Sequence, residues 1–126
     1  MRLLLDTHIL LWWVGNDPSL TALARGLIGD PEDTIFVNAV SLWEIWLKHS
    51  LGKLRLPSNF EERLARESFE SLPLVAAHTR EVALWPWHHR DPFDRMLIAQ
   101  ARASHMKFLT TDQVAAAYGD MALLSR

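Results

Sequence analysis

Cysteine is absent from this 126-residue chain, and that absence excludes several classes of protein. Disulfide scaffolds, cysteine-rich zinc sites and thiol catalysis all require it. The five glycines are scattered and form no phosphate-binding loop, so a nucleotide cofactor is not expected. Long hydrophobic runs are also missing. The apolar stretch at residues 9–14 is far too short to span a bilayer, and Asp6 and His8 interrupt any signal peptide over residues 1–14. We therefore expect a cytoplasmic protein with no membrane segment.

An excess of basic residues is lacking as well, because 13 Lys and Arg face 15 Asp and Glu for a net charge of −2. Domains that bind nucleic acid are usually basic. The total charge does not decide the matter, since its local distribution matters more. If four acids lay together in a metal site, the remaining 11 would face 13 basic residues, and the rest of the surface would carry a charge of +2. A nucleic-acid partner therefore stays open.

The composition is that of one folded domain, with 49% hydrophobic and 22% charged residues. The length suits a single domain and no linker divides the chain, so we expect one domain over residues 1–126. Strands are predicted at residues 2–5, 34–37, 72–75, 108–110 and 122–124, and helices at 8–14, 22–28, 39–49, 57–67, 79–84, 91–104 and 113–118. This alternation predicts an α/β sandwich in which helices flank a central, mainly parallel sheet of four to five short strands.

Two acids directly follow predicted strands. Asp6 ends the first strand, and Asp112 follows the strand at residues 108–110. In a parallel sheet both lie at the carboxyl edge, where open α/β folds place their ligands. Each acid could instead only cap the next helix. Because the pattern occurs at both ends of the chain, it favours a shared site.

Glu44 is an acid inside an apolar helix, with Trp43 and Ile45 beside it. An unpaired buried carboxylate is costly and needs a cation, a metal ion or a proton. The alternative is an exposed Glu44 that pairs with Lys48 four residues later. The apolar neighbours leave only a narrow polar strip, so both interpretations stay open.

Asp91 and Asp94 stand at a helix start. Asp91 is a good N-cap, Pro92 suits the first helical position, and Asp94 suits the first turn. Acids there also complement the helix dipole. A functional role is compatible with this structural role at the helix start, since the helix start can direct Asp94 into a pocket while Asp91 caps the helix.

Four segments together resemble a PIN domain of the VapC toxin type. They are LLLDTH at residues 3–8, SLWEI at 41–45 with Lys48 and GKL at 52–54, RDPFDRMLIAQA at 90–101, and LTTD at 109–112. Each segment alone is weak, but their order and spacing in so short a chain are specific. The resemblance extends over essentially the whole sequence and implies a three-layer sandwich.

The resemblance also implies an activity and its residues. PIN domains of this type are metal-dependent ribonucleases, so Asp6, Glu44, Asp94 and Asp112 would hold Mg²⁺ or Mn²⁺ and cleave RNA to a 5′-phosphate and a 3′-hydroxyl. Asp91 falls in the same motif and is an alternative ligand. Such acids suit these ions, because hard cations prefer carboxylate oxygens. Supporting hydrogen bonds are expected from Thr7, Thr110 and Thr111, and phosphate contacts from Lys48, Lys53, Arg55, Arg90 and Arg95.

Partners follow from the resemblance and from the six tryptophans. Trp and Leu recur in residues 9–14, 42–47 and 84–87, more than one small core needs, which indicates a surface for a protein partner. We expect a homodimer and a higher complex with a VapB-like antitoxin. The competing hypotheses are a non-catalytic PIN-like binding or regulatory module and a DNA-directed flap-type nuclease, for whose helical arch the chain is too short.

Overall fold

The computed structural model describes residues 1–84, 91–113 and 115, and the backbone of residues 122–124. The strands are β1 (Arg2–Leu5), β2 (Thr34–Asn38), β3 (Glu70–Leu72), β4 (Lys107–Thr110) and β5 (Ala122–Leu124). The helices are α1 (Thr7–Val14), α2 (Ala22–Gly29), α3 (Ala39–Ser50), α4 (Phe60–Ala65), α5 (Ala76–Ala83) and α6 (Pro92–Ala103). Within these ranges no helix has the length and apolar character to cross a bilayer.

The five strands form one sheet in the order β3-β2-β1-β4-β5, and every described pair is parallel. Leu4 of β1 is paired with Phe36 of β2 on one side and Phe108 of β4 on the other. The chain runs outward from β1 to β3 and then returns to β4 on the opposite side of β1. The carboxyl ends of β1 and β4 therefore form a switch point, the place where open α/β sheets bind ligands.

Helices cover both faces of the sheet. Side chains alternate along β1, so Leu3 and Leu5 pack into one buried cluster with Ile9 of α1, while Leu4 packs into a second with Leu97 of α6. Leu3 and Leu4 are completely buried. Strands buried on both faces explain the continuous apolar run of β1. The predicted α/β sandwich with a parallel sheet and flanking helices is confirmed.

Several predicted boundaries were wrong. The helix predicted at residues 57–67 is the shorter α4, because Asn59 has a left-handed backbone with φ 55° and no helix can run through it. The strand predicted at 72–75 is β3, which pairs with β2 and ends before Pro73. Helix α5 begins three residues early, at Ala76, where the Val75 N–H donates to His78 Nδ1 (3.3 Å). Most of the predicted helix at 113–118 lies outside the described residues.

Candidate functional site

Asp6 is buried at the carboxyl end of β1, with only 5% of its surface exposed. Its backbone N–H donates to the Leu109 carbonyl (3.0 Å), which continues the pairing of β1 with β4. Asp6 Oδ2 accepts a 2.6 Å hydrogen bond from the Thr110 hydroxyl. Oδ1 is buried without a hydrogen-bond partner among the described residues. Burial raises the pKa of this carboxyl above its usual value, so the charged form needs a nearby cation.

Glu44 is buried, as one sequence interpretation held, and it is paired with Lys48, as the other held. Only 3% of it is exposed, because it lies on the inner face of α3 with Ser41 and Ile45. Glu44 Oε1 accepts from the Thr7 hydroxyl at 2.7 Å. Glu44 Oε2 pairs with Lys48 Nζ at 2.5 Å. This pairing raises the pKa of Lys48, and the lysine therefore already supplies a cation to one of the candidate ligands.

The start of α6 presents two further carboxylates. Asp91 caps the helix as predicted, since its Oδ1 accepts from the backbone N–H groups of Phe93 (2.8 Å) and Asp94 (3.4 Å). Burial raises the pKa of Asp94 to about 7, and the neighbouring carboxylates add to the shift. Loss of hydration, reinforced by the neighbouring negative charge, thus keeps Asp94 protonated until near neutral pH.

Asp112 is joined to Asp6 through one hydroxyl. The Thr110 hydroxyl donates to Asp6 Oδ2 and accepts from the Asp112 backbone N–H (3.0 Å). This bridge ties the segment after β4 to the end of β1. Thr111, between Thr110 and Asp112, is half-buried. Of the threonines predicted to support the acids, Thr7 and Thr110 hydrogen-bond to carboxylates as expected.

The acids face one region without forming a coordination shell. Four carboxylates act on the pKa of Asp94, in decreasing order those of Asp6, Asp91, Glu44 and Asp112. Yet in the described part of the chain no three His, Asp or Glu side chains are placed to hold one ion together. The donor set fits Mg²⁺ or Mn²⁺, because it consists of carboxylate oxygens and includes the unpartnered Oδ1 of Asp6. Binding one ion through three of these carboxylates would require side-chain rearrangement.

Comparison with known protein families shows that the PIN domain model matches residues 3–120. The chain belongs to the PIN domain family. Comparison with curated proteins gives no match.

Solved structures share the fold of this PIN domain at low sequence identity. VapBC2 from Rickettsia felis, bound to a DNA fragment from its promoter, has a TM-score of 0.67 at 15% identity, covering 99% of this chain and 98% of that one. A toxin–antitoxin complex from Klebsiella pneumoniae has a TM-score of 0.63 at 14% identity, covering 95% and 94%. A domain of a functionally unknown protein from Methanocaldococcus jannaschii has 0.57 at 17%, covering 99% and 91%.

The predicted basic margin of this PIN domain is only partly present. Lys53 and Arg55 are exposed in the segment after α3, and Lys48 is half-buried against Glu44. Arg95 departs from the prediction: it is 3% exposed, and its Nη2 donates to the Val82 carbonyl (3.0 Å). Its position on α6 faces the α5 side, so it joins two helices and is not available to RNA. Arg90 lies outside the described residues.

Sequence reasoning missed a buried amide pair that links the end of β2, where α3 begins, to α6. Asn38 Nδ2 donates to Gln100 Oε1 (2.5 Å), and Asn38 Oδ1 caps α3 by accepting from the Ser41 N–H (2.7 Å). Gln100 Nε2 in turn donates to the Pro73 carbonyl (3.2 Å). The available signal was a glutamine within the apolar run at residues 97–101, on the buried side of a helix.

Proposed function

We propose that this PIN domain is a metal-dependent endoribonuclease that acts in the cytoplasm as the toxin of a VapBC-type toxin–antitoxin pair. The observation that carries the proposal is the buried, unpartnered Oδ1 of Asp6 together with Asp94, whose pKa is raised to about 7 by burial and by the neighbouring carboxylates. Converging acids of this kind repel one another unless cations neutralise them. They would equally repel the phosphodiester of RNA. A bound cation would relieve the repulsion among the acids and the repulsion of the substrate.

In this proposal Asp6, Glu44, Asp94 and Asp112 hold Mg²⁺ or Mn²⁺. The ion, when bound, activates a water molecule and stabilises the negative charge on the cleaved phosphate. Two threonine hydroxyls orient carboxylates of this set. Thr110 holds one Asp6 oxygen and leaves Oδ1 directed away from it, and Thr7 holds Glu44.

Asp91 caps α6 in this scheme and thereby directs Asp94 toward the other acids, while adding its own charge to the region. The 5′-phosphate and 3′-hydroxyl products remain part of the proposal. Lys53 and Arg55 contact the backbone phosphates of the substrate. Lys48 joins them once Glu44 is occupied, because an ammonium group on a flexible stem can turn from a carboxylate to a phosphate.

The proposed protein partner is an antitoxin with a short apolar segment, and the proposed assembly is a homodimer that forms a higher complex with it. Leu47 of α3 and the following Leu51 are exposed, lie four residues apart and form an apolar surface on one side of the helix. Monomers seldom expose large apolar patches. The structural likeness to two toxin–antitoxin complexes supports this kind of partner. By contrast, Ile9, Leu10 and Val14 of the predicted surface are core residues.

Cleavage assays with the whole chain test the activity. We expect single-stranded RNA to be cut in Mg²⁺ or Mn²⁺, DNA to be spared, and chelator or Asp6→Asn to stop the reaction. Sequencing of RNA ends after brief expression of the wild type and of Asp6→Asn identifies the cut sites. Cleavage that ignores chelator, or that continues in Asp6→Asn, would overturn the metal-dependent mechanism.

A non-catalytic PIN-like module is the second candidate, and one observation favours it. Lys48 already neutralises Glu44, and the described acids do not form a ready coordination shell. A protein that binds RNA or antitoxin but cleaves no RNA at any tested Mg²⁺ or Mn²⁺ concentration would be this module. Mutation of Lys48 to Met separates the two hypotheses further. A nuclease keeps its metal affinity or gains some in this variant, whereas a pocket neutralised by lysine loses stability.

A further inference from the structure

An aromatic pair, the exposed Trp43 and the half-buried Phe93, adjoins the acidic region. Trp43 of α3 immediately precedes Glu44, and Phe93 of α6 immediately precedes Asp94. Their rings meet nearly edge-on, with centroids 5.1 Å apart and an interplanar angle of 62°. Trp43 is 62% exposed, far more than an indole that served only to join the two helices would be. The two rings therefore form a corner whose Trp43 side is open to solvent.

A cation stands beside this corner. Lys48 Nζ lies 5.9 Å from the centre of the Phe93 ring while it pairs with Glu44. One ammonium group thus contacts both a candidate metal ligand and the aromatic pair. An exposed aromatic face beside a positive charge is the combination that binds single-stranded nucleic acid, in which bases stack and phosphates are neutralised.

We propose that Trp43, supported by Phe93, stacks on an unpaired nucleobase next to the cleaved phosphate. The inference rests on the proposed ribonuclease function and adds a specificity determinant to it. Trp43 presents its exposed face to the base, Phe93 fixes the angle of the indole, and Lys48 contacts the adjoining phosphate. Base-paired RNA cannot offer such a base, because its bases are already stacked. The corner therefore selects unpaired substrate.

The chain supplies a matched control on the same helix. Trp46 lies one turn after Trp43, is 38% exposed, and packs edge-on against Phe60 of α4 with ring centroids 5.9 Å apart. It contacts neither Phe93 nor Lys48 in any described pair. Trp46→Leu thus removes the same type of side chain from the same helix without touching the corner.

Steady-state cleavage of a short single-stranded RNA with a mapped cut site tests the proposal. Trp43→Leu should raise KM about tenfold with kcat little changed, because stacking on one base is worth about that factor. Trp43→Phe should recover most of the loss, and Trp46→Leu should behave as the wild type. An abasic nucleotide, placed in turn at each position beside the cut, should weaken wild-type cleavage at one position and have no further effect on Trp43→Leu.

Each contrary result has a distinct meaning. If the wild type cleaves no RNA, the proposed function fails and this inference fails with it. If the wild type cleaves RNA and Trp43→Leu keeps its KM, only the stacking role is wrong. An unchanged KM with a changed sedimentation coefficient would assign Trp43 to a protein interface. Equal losses in Trp43→Leu and Trp46→Leu, or a loss that persists in full on abasic RNA, would show a structural effect and overturn the proposal.

Discussion

The two oxygens of Asp6 have unequal surroundings. One accepts from the Thr110 hydroxyl, and the other is buried without a partner among the described residues. In the absence of a cation this arrangement opposes ionisation, and burial accordingly raises the pKa of Asp6. A residue placed at such a cost to stability is typical of functional sites.

Replacing Asp6 by Asn should stabilise the metal-free protein. The same substitution should remove the stabilisation that bound metal gives the wild type. Asn keeps an acceptor for Thr110 and carries no charge, so we expect the free energy of unfolding at pH 8 to rise, because burial disfavours the ionised carboxylate of Asp6 when no cation is bound. Mg²⁺ or Mn²⁺ should then stabilise the wild type and not the variant. Urea denaturation with chelator and with metal measures both effects.

The exposed Glu62 of α4 provides a control for that experiment. Glu62→Gln also removes one carboxylate, but far from the acidic region, and should respond to metal as the wild type does. Equal stabilisation by metal in Asp6→Asn and the wild type would exclude Asp6 as a ligand.

Two substitutions at Asp91 separate its capping from any role as a ligand. Asn caps helices as well as Asp does, so Asp91→Asn should retain stability, whereas Asp91→Ala should lose about 1 kcal/mol of unfolding free energy. If Asp91 only caps α6, cleavage should persist in Asp91→Asn and stop in Asp94→Asn. The reverse pattern would show that the ligand assignment is wrong. Thermal denaturation and initial cleavage rates are the measurements.

At the scale of elements, the buried contact of Asn38 with Gln100 joins α3 to α6. Both side chains are completely buried, so this hydrogen bond supplies a partner to amide atoms that water cannot reach. Gln100 Nε2 also lies 3.1 Å from His78 Nδ1 of α5. A buried polar contact therefore joins the start of the helix that carries Glu44 to the helix that carries Asp94.

Mutation of Gln100 to Met should destabilise the protein by about 2 kcal/mol, because it leaves the completely buried Asn38 amide without its partner and removes the hydrogen bond to the Pro73 carbonyl. Met has nearly the same shape, so little of the loss would come from a cavity. The chain's other glutamine, Gln113, is exposed, and Gln113→Met should change the free energy of unfolding by less than about 0.5 kcal/mol. A neutral Gln100→Met would mean that the amide pair does not hold the helices.

Prediction of elements succeeded where a local signal was strong. Helix α6 begins after Asp91, with Pro92 at its first position, because both residues favour a helix start by their own chemistry. Asn38, a residue type that favours the N-cap position, likewise caps α3. Strand β3 was misplaced because its position depends on pairing with β2, and three exposed or half-buried residues carry little pattern of their own.

At the scale of the molecule, the acidic region couples stability to pH. The folded-state pKa of Asp94, about 7, exceeds its ordinary value of 3.8. Between those two pH values the folded chain holds a proton that the unfolded chain has released. Stability therefore falls as pH rises through this window. Cations that bind the ionised acids oppose the fall.

This coupling predicts a difference between the wild type and Asp94→Asn. In chelator, the free energy of unfolding of the wild type relative to that of Asp94→Asn should decrease from pH 4 to pH 7, and added Mg²⁺ should reverse the decrease at pH 7 to 8. Urea denaturation at several pH values measures it, and taking the difference cancels other titrating groups. Parallel curves for the two proteins would show that Asp94 titrates normally.

Activity should show the same competition between protons and metal. Initial cleavage rates are expected to fall as pH drops below about 7, with a midpoint that moves lower when Mg²⁺ is raised, because metal and protons compete for the same oxygens. A midpoint that does not depend on Mg²⁺ would contradict the assignment of these acids as ligands.

The sequence by itself determined the family, the parallel α/β sandwich and the positions of the candidate acids along the chain. Strand-ending acids, helix caps and apolar runs are local patterns, so the chemistry of adjacent residues is enough to reveal them. Asp6 after β1 and Asp94 in the first turn of α6 belong to this group.

Only the tertiary structure decided how those residues are charged, paired and exposed. The Thr110–Asp6 hydrogen bond joins residues 104 positions apart, and the Asn38–Gln100 bond joins residues 62 apart. Burial of Arg95 and exposure of Trp43 depend in the same way on which elements pack beside them. The free energy of a charge depends on the water removed and on the groups brought near it, and both are set by contacts between distant parts of the chain.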